Sequence, residues 1–294
     1  MSDASAAPSS VAAPEITVAQ ERRERLGQLL SSPTFLTGAA IVVFWGACAI
    51  FGHALVPYDP LADDMLNTLL PPSREHPFGT DQLGRDVFSR VITGSRDILT
   101  VAPLATLLGT LGGTVLGLAM GYSRGFVDEV LSRIVDALLA LPTVIVALLA
   151  LVALGTSKIT VVLVIAFGFT PIIARTVRAA VLAERELDYV AAAKLRLEGS
   201  FHIMFVEILP NVAPPILVET TVRLGYAIFT VATLAFLGFA ADPSIPDWGQ
   251  DISAHYQSIN AGFWWPVLFP SLAIATLIVG INLIADAIAQ LSER

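Results

Sequence analysis

The chain has 294 residues, of which 55% are hydrophobic and only 14% are charged. Soluble domains carry about a quarter charged residues, so this composition, with a mean hydropathy of +0.72, indicates a protein whose main solvent is lipid. The net charge of −8 argues against a nucleic-acid-binding protein, which needs clustered Lys and Arg.

The N-terminal segment 1–30 begins with Ala, Ser and Pro, has no apolar core, and includes Arg22, Arg23 and Arg25. These features predict a disordered cytosolic tail. A signal peptide is the alternative, because positive charge precedes the first apolar run and residues 47–49 resemble a cleavage site. The run is too long for a signal-peptide core, which favours the tail.

Six apolar segments are long enough, or nearly so, to cross about 30 Å of hydrocarbon as helices. The first lies within residues 31–56, a segment at 57–95 follows outside the membrane, and residues 96–288 hold the other five. We therefore predict an all-α polytopic membrane protein with six transmembrane helices. The predicted spans are 35–56, 98–120, 137–157, 159–174, 214–240 and 263–285.

Lys and Arg near the ends of the spans predict the orientation. With the N-terminus inside, eleven basic residues fall in inside segments and five in outside segments. Both termini and the loop 188–211 are therefore predicted to be cytosolic. The inside residues are Arg22, Arg23, Arg25, Arg124, Arg133, Arg175, Arg178, Arg185, Lys194, Arg196 and Arg294; the outside residues are Arg74, Arg85, Arg90, Arg96 and Lys158.

The last outside loop contains Asp242, Asp247 and Asp251 but no Lys or Arg. Three tryptophans also lie around this loop and the start of the sixth span. An aromatic belt at the membrane interface is the favoured interpretation, with substrate stacking as the alternative. These tryptophans are Trp248, Trp264 and Trp265.

Glycines at four-residue spacing in the second span fall on one helix face. Without Cβ atoms they allow a neighbouring helix to approach closely, and such packing drives helix association in lipid. We predict a packing seam rather than a ligand site. The glycines are Gly109, Gly113, Gly117 and Gly121.

The fifth span carries Glu219 and Arg223, one helical turn apart in the favourable order. Charges within a span are costly unless they are paired or face water. Two interpretations stay open: a self-neutralising pair inside the bundle, or part of a translocation path for a charged substrate. Asn282 and Asp286 in the sixth span are weaker candidates.

The polar stretch 188–211 between the fourth and fifth spans is predicted to be a docking loop. Asp188 is positioned to N-cap a short helix. Tyr189, Val190 and Ala193 would share one face of this helix, and Gly199 would end it. An interfacial helix that lies on lipid headgroups is the alternative.

The chain contains no Gly-Lys pair and therefore no P-loop, and it has neither an HExxH nor a GxSxG motif. The single cysteine, Cys48, excludes an intrachain disulfide and a CxxC metal site. The four histidines are scattered, with no metal-ligand spacing. The sequence thus predicts no catalytic residues, no metal site and no cofactor.

The stretch 188–211 resembles the EAA loop of ABC-importer permeases, whose pattern is Glu-Ala-Ala, three residues, Gly, nine residues, then Ile-x-Leu-Pro. Ala191 stands where the pattern has Glu. Leu197 stands where it has Gly, and Gly199 follows two residues later. Glu207 stands where it has Ile, and Ile208 follows directly. The positions that match are Ala192, Ala193, Leu209 and Pro210.

Three further segments are similar to the C-type permeases of dipeptide and oligopeptide importers. The run 76–96 resembles their external loop, and 234–238 with 246–249 resembles their Leu-Ser-Phe-Leu-Gly and Trp-Gly signatures. The third segment matches an Arg-x-x-Asp…Leu-Pro pattern at Arg133, Asp136 and Pro142. The C-terminal pattern is kept only at Asn282, Leu283 and Asp286, and the resemblance covers about residues 35–288.

This resemblance implies a type I ABC-importer permease in the bacterial cytoplasmic membrane. It implies a heterodimer with a second permease subunit, two ATP-binding subunits or one fused ATPase, and an extracytoplasmic solute-binding protein. The substrates would be dipeptides or short oligopeptides. The resemblance assigns coupling to the ATPase to Asp188, Tyr189, Val190, Ala192, Ala193, Lys194 and Gly199.

Two alternatives stay open. A nickel, metal-chelate or glutathione importer would use the same scaffold, although the spans contain no His or Met cluster for a soft metal. A stand-alone channel or secondary transporter is a different class, but the sequence shows no halves with matching interruptions.

Overall fold

The computed structural model describes residues 27–240 and 245–292, and within these ranges the chain is helical without a strand. Most of the predicted tail, the three N-terminal arginines, Asp242 and Arg294 lie outside the described residues, whereas residues 27–31 are helical. The helices are α1 (Pro33–Leu55), α2 (Val87–Ser123), α3 (Phe126–Leu139), α4 (Thr143–Leu154), α5 (Lys158–Glu184), α6 (Asp188–Leu195), α7 (Ser200–Phe236), α8 (Trp248–His255) and α9 (Trp265–Ser292).

Five of the described helices, α1, α2, α5, α7 and α9, are long and apolar enough to cross a membrane. The predicted third span is not one straight helix, because α3 and α4 meet at a bend of 85°. Pro142 causes the break, since it lacks a backbone donor and disfavours helical geometry in the residue before it. The count is therefore five spans, or six if the bent pair is one crossing.

Helix α2 begins at Val87, eleven residues before the predicted start of the second span at residue 98. Asp86 caps this helix, and its carboxylate accepts hydrogen bonds from the backbone and hydroxyl of Ser89 at 2.8 and 2.6 Å. Arg90 and Arg96, counted above as loop charges, therefore lie within α2. The sequence did not reveal this early start of the helix, because Arg90 is buried there by pairing with a carboxylate far along the chain.

The four glycines of the predicted seam lie on the face of α2 that packs against α5, and all four are buried. A Cβ at Gly117 would lie 2.5 Å from Val177 Cβ, and one at Gly113 would lie 2.6 Å from Ile173 Cβ. Such distances leave no space for a side chain. The two helices are therefore as close as their backbones and the α5 side chains allow.

Residues 57–86 and 245–262 pack together around the first turns of α2 at one end of the bundle, and we call this layer, including those turns, the polar cap. Trp248 and Trp265 are buried, and their indole nitrogens donate to Val91 O and Thr80 O at 2.8 and 2.9 Å. The predicted aromatic belt is therefore wrong for these two residues: Trp248 ties the cap to the start of α2, and Trp265 ties α9 to the cap. Trp264 alone of the three is exposed.

Candidate functional site

Helix α6 begins at Asp188, with Leu187 in the capping position. The predicted N-cap role of Asp188 is therefore wrong, because its backbone is already helical and its side chain makes no cap hydrogen bond. Asp188 instead occupies the first turn, where a carboxylate interacts favourably with the helix dipole. The helix is followed by an irregular turn, and residues 185–199 together are called the α6 loop below.

Val190 and Ala193 are completely buried, with exposed fractions of 0%. Tyr189 is half-buried, and its hydroxyl donates to a Glu184 carboxylate oxygen at 2.8 Å. Burial, together with this bond to Glu184, raises the pKa of Tyr189 to about 12. These three side chains, predicted as coupling residues, therefore anchor α6 to the rest of the chain, whereas Asp188, Ala192, Lys194 and Gly199 are exposed.

The end of α6 forms a Schellman motif around Leu197. Leu197 N donates to Lys194 O at 3.0 Å, and Glu198 N donates to Ala193 O at 3.2 Å. The central position requires a left-handed backbone, and Leu197 has φ +59°. Glycine usually occupies this position, since a side chain there costs about 1 kcal/mol. Gly199, expected to end the helix, lies two residues beyond.

An ion-pair network joins the α6 loop to the start of α7. The Arg196 guanidinium lies 2.6 Å from Glu198 and 3.0 Å from Glu207. Residues Ile203–Ile208 form a π-helix, whose wider turn brings Glu207 toward this network. Glu198, His202 and Glu207 offer ligand atoms within 4.8 Å of one another.

The sequence did not flag this trio, because helical spacing alone does not place a residue five positions away on the same face. Arg196 already pairs with both glutamates and so takes up part of their negative charge. The absence of a metal site remains a prediction.

A groove lies between α7 and α9, and the pair formed by Glu219 and Arg223 lies on α7 just before the part of that helix that lines the groove. Glu219 and Arg223 are bonded at 2.6 Å, and the Arg223 guanidinium lies 5.0 Å from the Tyr226 ring. A cavity of about 430 Å³ lies beside Tyr226, Asn282 and Asp286. Asn282 and Asp286 are exposed, which is costly against hydrocarbon, so this face suits water or a protein partner better than lipid.

Other surfaces of the bundle differ from this groove. The outward side chains of α1 and of the middle of α2 are large and apolar, as lipid requires. Examples are Val43, Phe44, Phe51, Leu104 and Leu111.

The polar cap contains a buried charge network that the sequence did not reveal. Arg90 Nε donates to both Asp251 carboxylate oxygens at 3.1 and 3.2 Å, and Arg90 Nη1 donates to Pro60 O at 3.0 Å. His255 Nε2 lies 3.9 Å from an Asp81 carboxylate oxygen. Burial raises the pKa of Asp247 to about 6, with the nearby Asp97 and Asp251 charges adding to the effect.

Comparisons with known proteins identify the family of this chain. A model of the family described as "Binding-protein-dependent transport system inner membrane component" matches residues 113–294. The chain is 36% identical to the dipeptide transport system permease protein DppC of Alkalihalophilus pseudofirmus, over 93% of this chain and 90% of the relative. It is 40% identical to the Escherichia coli K12 protein of the same description, over 86% of each chain.

A further permease and a solved structure are also similar to this chain. The probable D,D-dipeptide transport system permease protein DdpC of Escherichia coli K12 is 35% identical over 90% of this chain and 89% of its own length. Among solved structures, an inward-facing form of the methionine ABC transporter MetNI aligns with a TM-score of 0.51 and 18% identity. That alignment covers 67% of this chain and 96% of the other, and it bears on the fold alone.

Proposed function

We propose that this chain, which belongs to the family of binding-protein-dependent transport system inner membrane components, imports dipeptides or short oligopeptides. In this proposal it is one permease subunit of a heterodimer, driven by separate ATPase subunits. An extracytoplasmic solute-binding protein delivers the peptide. The chain itself carries out no catalysis.

The observation that carries the proposal is the construction of the α6 loop. Val190 and Ala193 fix a short helix to the membrane domain, while the opposite side of that helix is exposed. A rigidly attached helix with a free face transmits displacement from a partner to the spans behind it. Two packings of the permease pair would then be biased by contacts at this helix.

The groove between α7 and α9 supports the placement of the translocation path. Arg223 and Glu219 neutralise each other, so the pair is stable without a substrate. Water or substrate in the groove would solvate Asn282 and Asp286. Glu219 and Arg223 then border the path, and the second permease subunit covers it from the other side.

The proposed orientation places the α6 loop in the cytosol with both termini, and the polar cap outside the bacterial cytoplasmic membrane. Burial of Arg90 inside the cap removes one basic residue from the outside loops and so sharpens the charge asymmetry.

Peptides are favoured over metal chelates or glutathione as substrates. The names of the similar permeases refer to dipeptides and peptides. The residues that line the α7–α9 cavity include no His, Met or Cys, so a soft metal would find no ligands there.

Reconstitution tests the proposal. The permease pair, its ATPase subunits and its solute-binding protein are placed in proteoliposomes, and uptake of a labelled dipeptide is measured. We expect uptake only with ATP, and competition by unlabelled dipeptides but not by nickel. Uptake that persists without any ATPase subunit would identify a stand-alone transporter instead, and competition by nickel alone would identify a metal importer.

A further inference from the structure

We propose that Leu197 is a recognition side chain that enters an apolar pocket of the ATPase subunit and helps to decide which ATPase this permease accepts. The inference rests on the proposed function, since it needs an ATPase subunit against the α6 loop. It adds a specificity-determining residue to that surface.

The first argument is the backbone of Leu197. In the described chain, three residues other than glycine have a positive φ: Leu69, Arg124 and Leu197. Leu69 packs against the hydrophobic core, and the Arg124 guanidinium donates to Glu186. Leu197 is 91% exposed, so its side chain gains almost nothing within the described residues. A strained residue without an internal contact points to a contact outside the chain.

The second argument is the neighbouring surface. Leu195 is 84% exposed, so two large apolar side chains project from the end of α6 within three residues. Glycine at position 197 would satisfy the Schellman motif without strain. The chain instead keeps a side chain whose only evident property is its apolar surface.

The third argument separates a protein partner from the lipid bilayer. Arg196 and Glu198 flank Leu197 and are paired with each other, and Arg196 also reaches Glu207. If Leu197 were buried in hydrocarbon, these charges would be carried toward the membrane core, which is costly. A protein pocket with an apolar centre and a polar rim accepts both the leucine and its charged neighbours.

The test uses the complete complex of both permeases and the ATPase subunits in nanodiscs. Leu197→Asn removes the apolar side chain and replaces it with a residue that tolerates the left-handed backbone; Leu197→Gly does the same without a side chain. We expect the Kd of the ATPase subunits for the permease pair to rise about fivefold or more. The Tm of the permease should stay unchanged or rise. The ratio between the Kd of a related, non-cognate ATPase subunit and the Kd of the cognate subunit should become smaller.

Two matched variants complete the test. Leu197→Met keeps an apolar side chain and should keep wild-type binding. Leu66→Asn changes a leucine of the polar cap that is 95% exposed, and it should leave ATPase binding unaltered.

Several outcomes would overturn the inference. Wild-type ATPase binding by Leu197→Asn would do so while leaving ATP-driven uptake, and thus the proposed function, intact. A loss of binding accompanied by a fall in Tm would assign Leu197 a structural role. Unchanged ATPase binding with weaker association to anionic lipid vesicles would assign it to the bilayer. If the wild-type permease binds no ATPase subunit, the proposed function itself fails.

Discussion

The polar cap and the α6 loop both contain charged residues, but the cap buries several of them and the α6 loop leaves most of them exposed. In the cap, Arg90, Asp81, Asp251 and His255 are buried and bonded across distant parts of the sequence. At the end of the α6 loop, Arg196 and Glu198 pair at the surface, and the large apolar side chains of Leu195 and Leu197 remain exposed. The cap fixes its elements to each other, whereas the loop is anchored on one side and left open on the other.

The seam between α2 and α5 connects these two regions. Helix α2 starts beneath the cap, and its last carbonyls, at Gly121 and Tyr122, accept hydrogen bonds from Arg185 at 2.9 and 2.7 Å. Arg185 is the first residue of the α6 loop. A displacement of the loop is therefore passed to the end of α2 through direct hydrogen bonds. Because α2 and α5 are closely packed along the seam, we expect the two helices to move together rather than to absorb the displacement between them.

The largest expected effect is in the cap. Asp251→Asn removes the partner of a buried guanidinium and should destabilise the permease by about 3–5 kcal/mol, measured as a fall in Tm in detergent. The double variant Arg90→Leu with Asp251→Leu leaves no uncompensated charge and should recover much of the loss. If Asp251→Asn alone left the Tm unchanged, the cap would not be held by this pair.

A smaller effect is expected in the seam. Gly117→Ala places a Cβ 2.5 Å from Val177 Cβ and should cost about 1–3 kcal/mol through overpacking. Gly46→Ala in α1 is the matched control, because a Cβ there meets nothing within 4 Å, and it should be neutral or slightly stabilising. Equal Tm values for the two variants would contradict the close packing of α2 on α5.

Asp247 makes the stability of the cap depend on pH. Its pKa is raised from 3.8 to about 6, so the protonated form is favoured by folding. This stabilisation is complete below about pH 4 and is lost as the pH rises through 6. The Tm should therefore fall between pH 5 and pH 7, by an amount equivalent to about 1–3 kcal/mol.

Asp247→Asn is the control for that pH profile. Asparagine keeps the N-cap of α8 but cannot ionise, so the fall in Tm between pH 5 and pH 7 should shrink. A profile identical to that of the wild type would show that another group titrates.

The sequence predicted the membrane-spanning helices better than it predicted the polar cap and the α6 loop. Apolar length alone located α1, α5, α7 and α9, because a span is a local property of the chain. It did not locate the start of α2, since the partner of Arg90 lies 161 residues away at Asp251. Within the α6 loop the sequence predicted the short helix and the face shared by Tyr189, Val190 and Ala193, but not that this face packs on the chain itself.

The reason is physical. Val190 and Ala193 resemble a docking face by composition, and only the packing of α6 on its own chain shows that this face is already occupied. Nor does any local signal predict a left-handed leucine at 197, because the steric rule that favours glycine there points to Gly199 instead.

The smallest expected effect on global stability, with the most specific effect on function, lies in the anchor of α6. Val190→Ala removes two buried methyl groups and should loosen the docking of α6 by about 1–2 kcal/mol. The Tm of the whole permease should hardly change, because a peripheral helix opens independently of the core.

Amide hydrogen exchange in 188–195 should become faster, and more ATP should be hydrolysed for each dipeptide transported. Val43→Ala, at an outward-facing valine of α1, is the matched control that makes the same truncation and leaves the anchor intact. Faster exchange with an unchanged ratio of ATP hydrolysed to dipeptide transported would mean that the loop transmits force without a rigid attachment. The buried face of α6 would then not be needed for coupling.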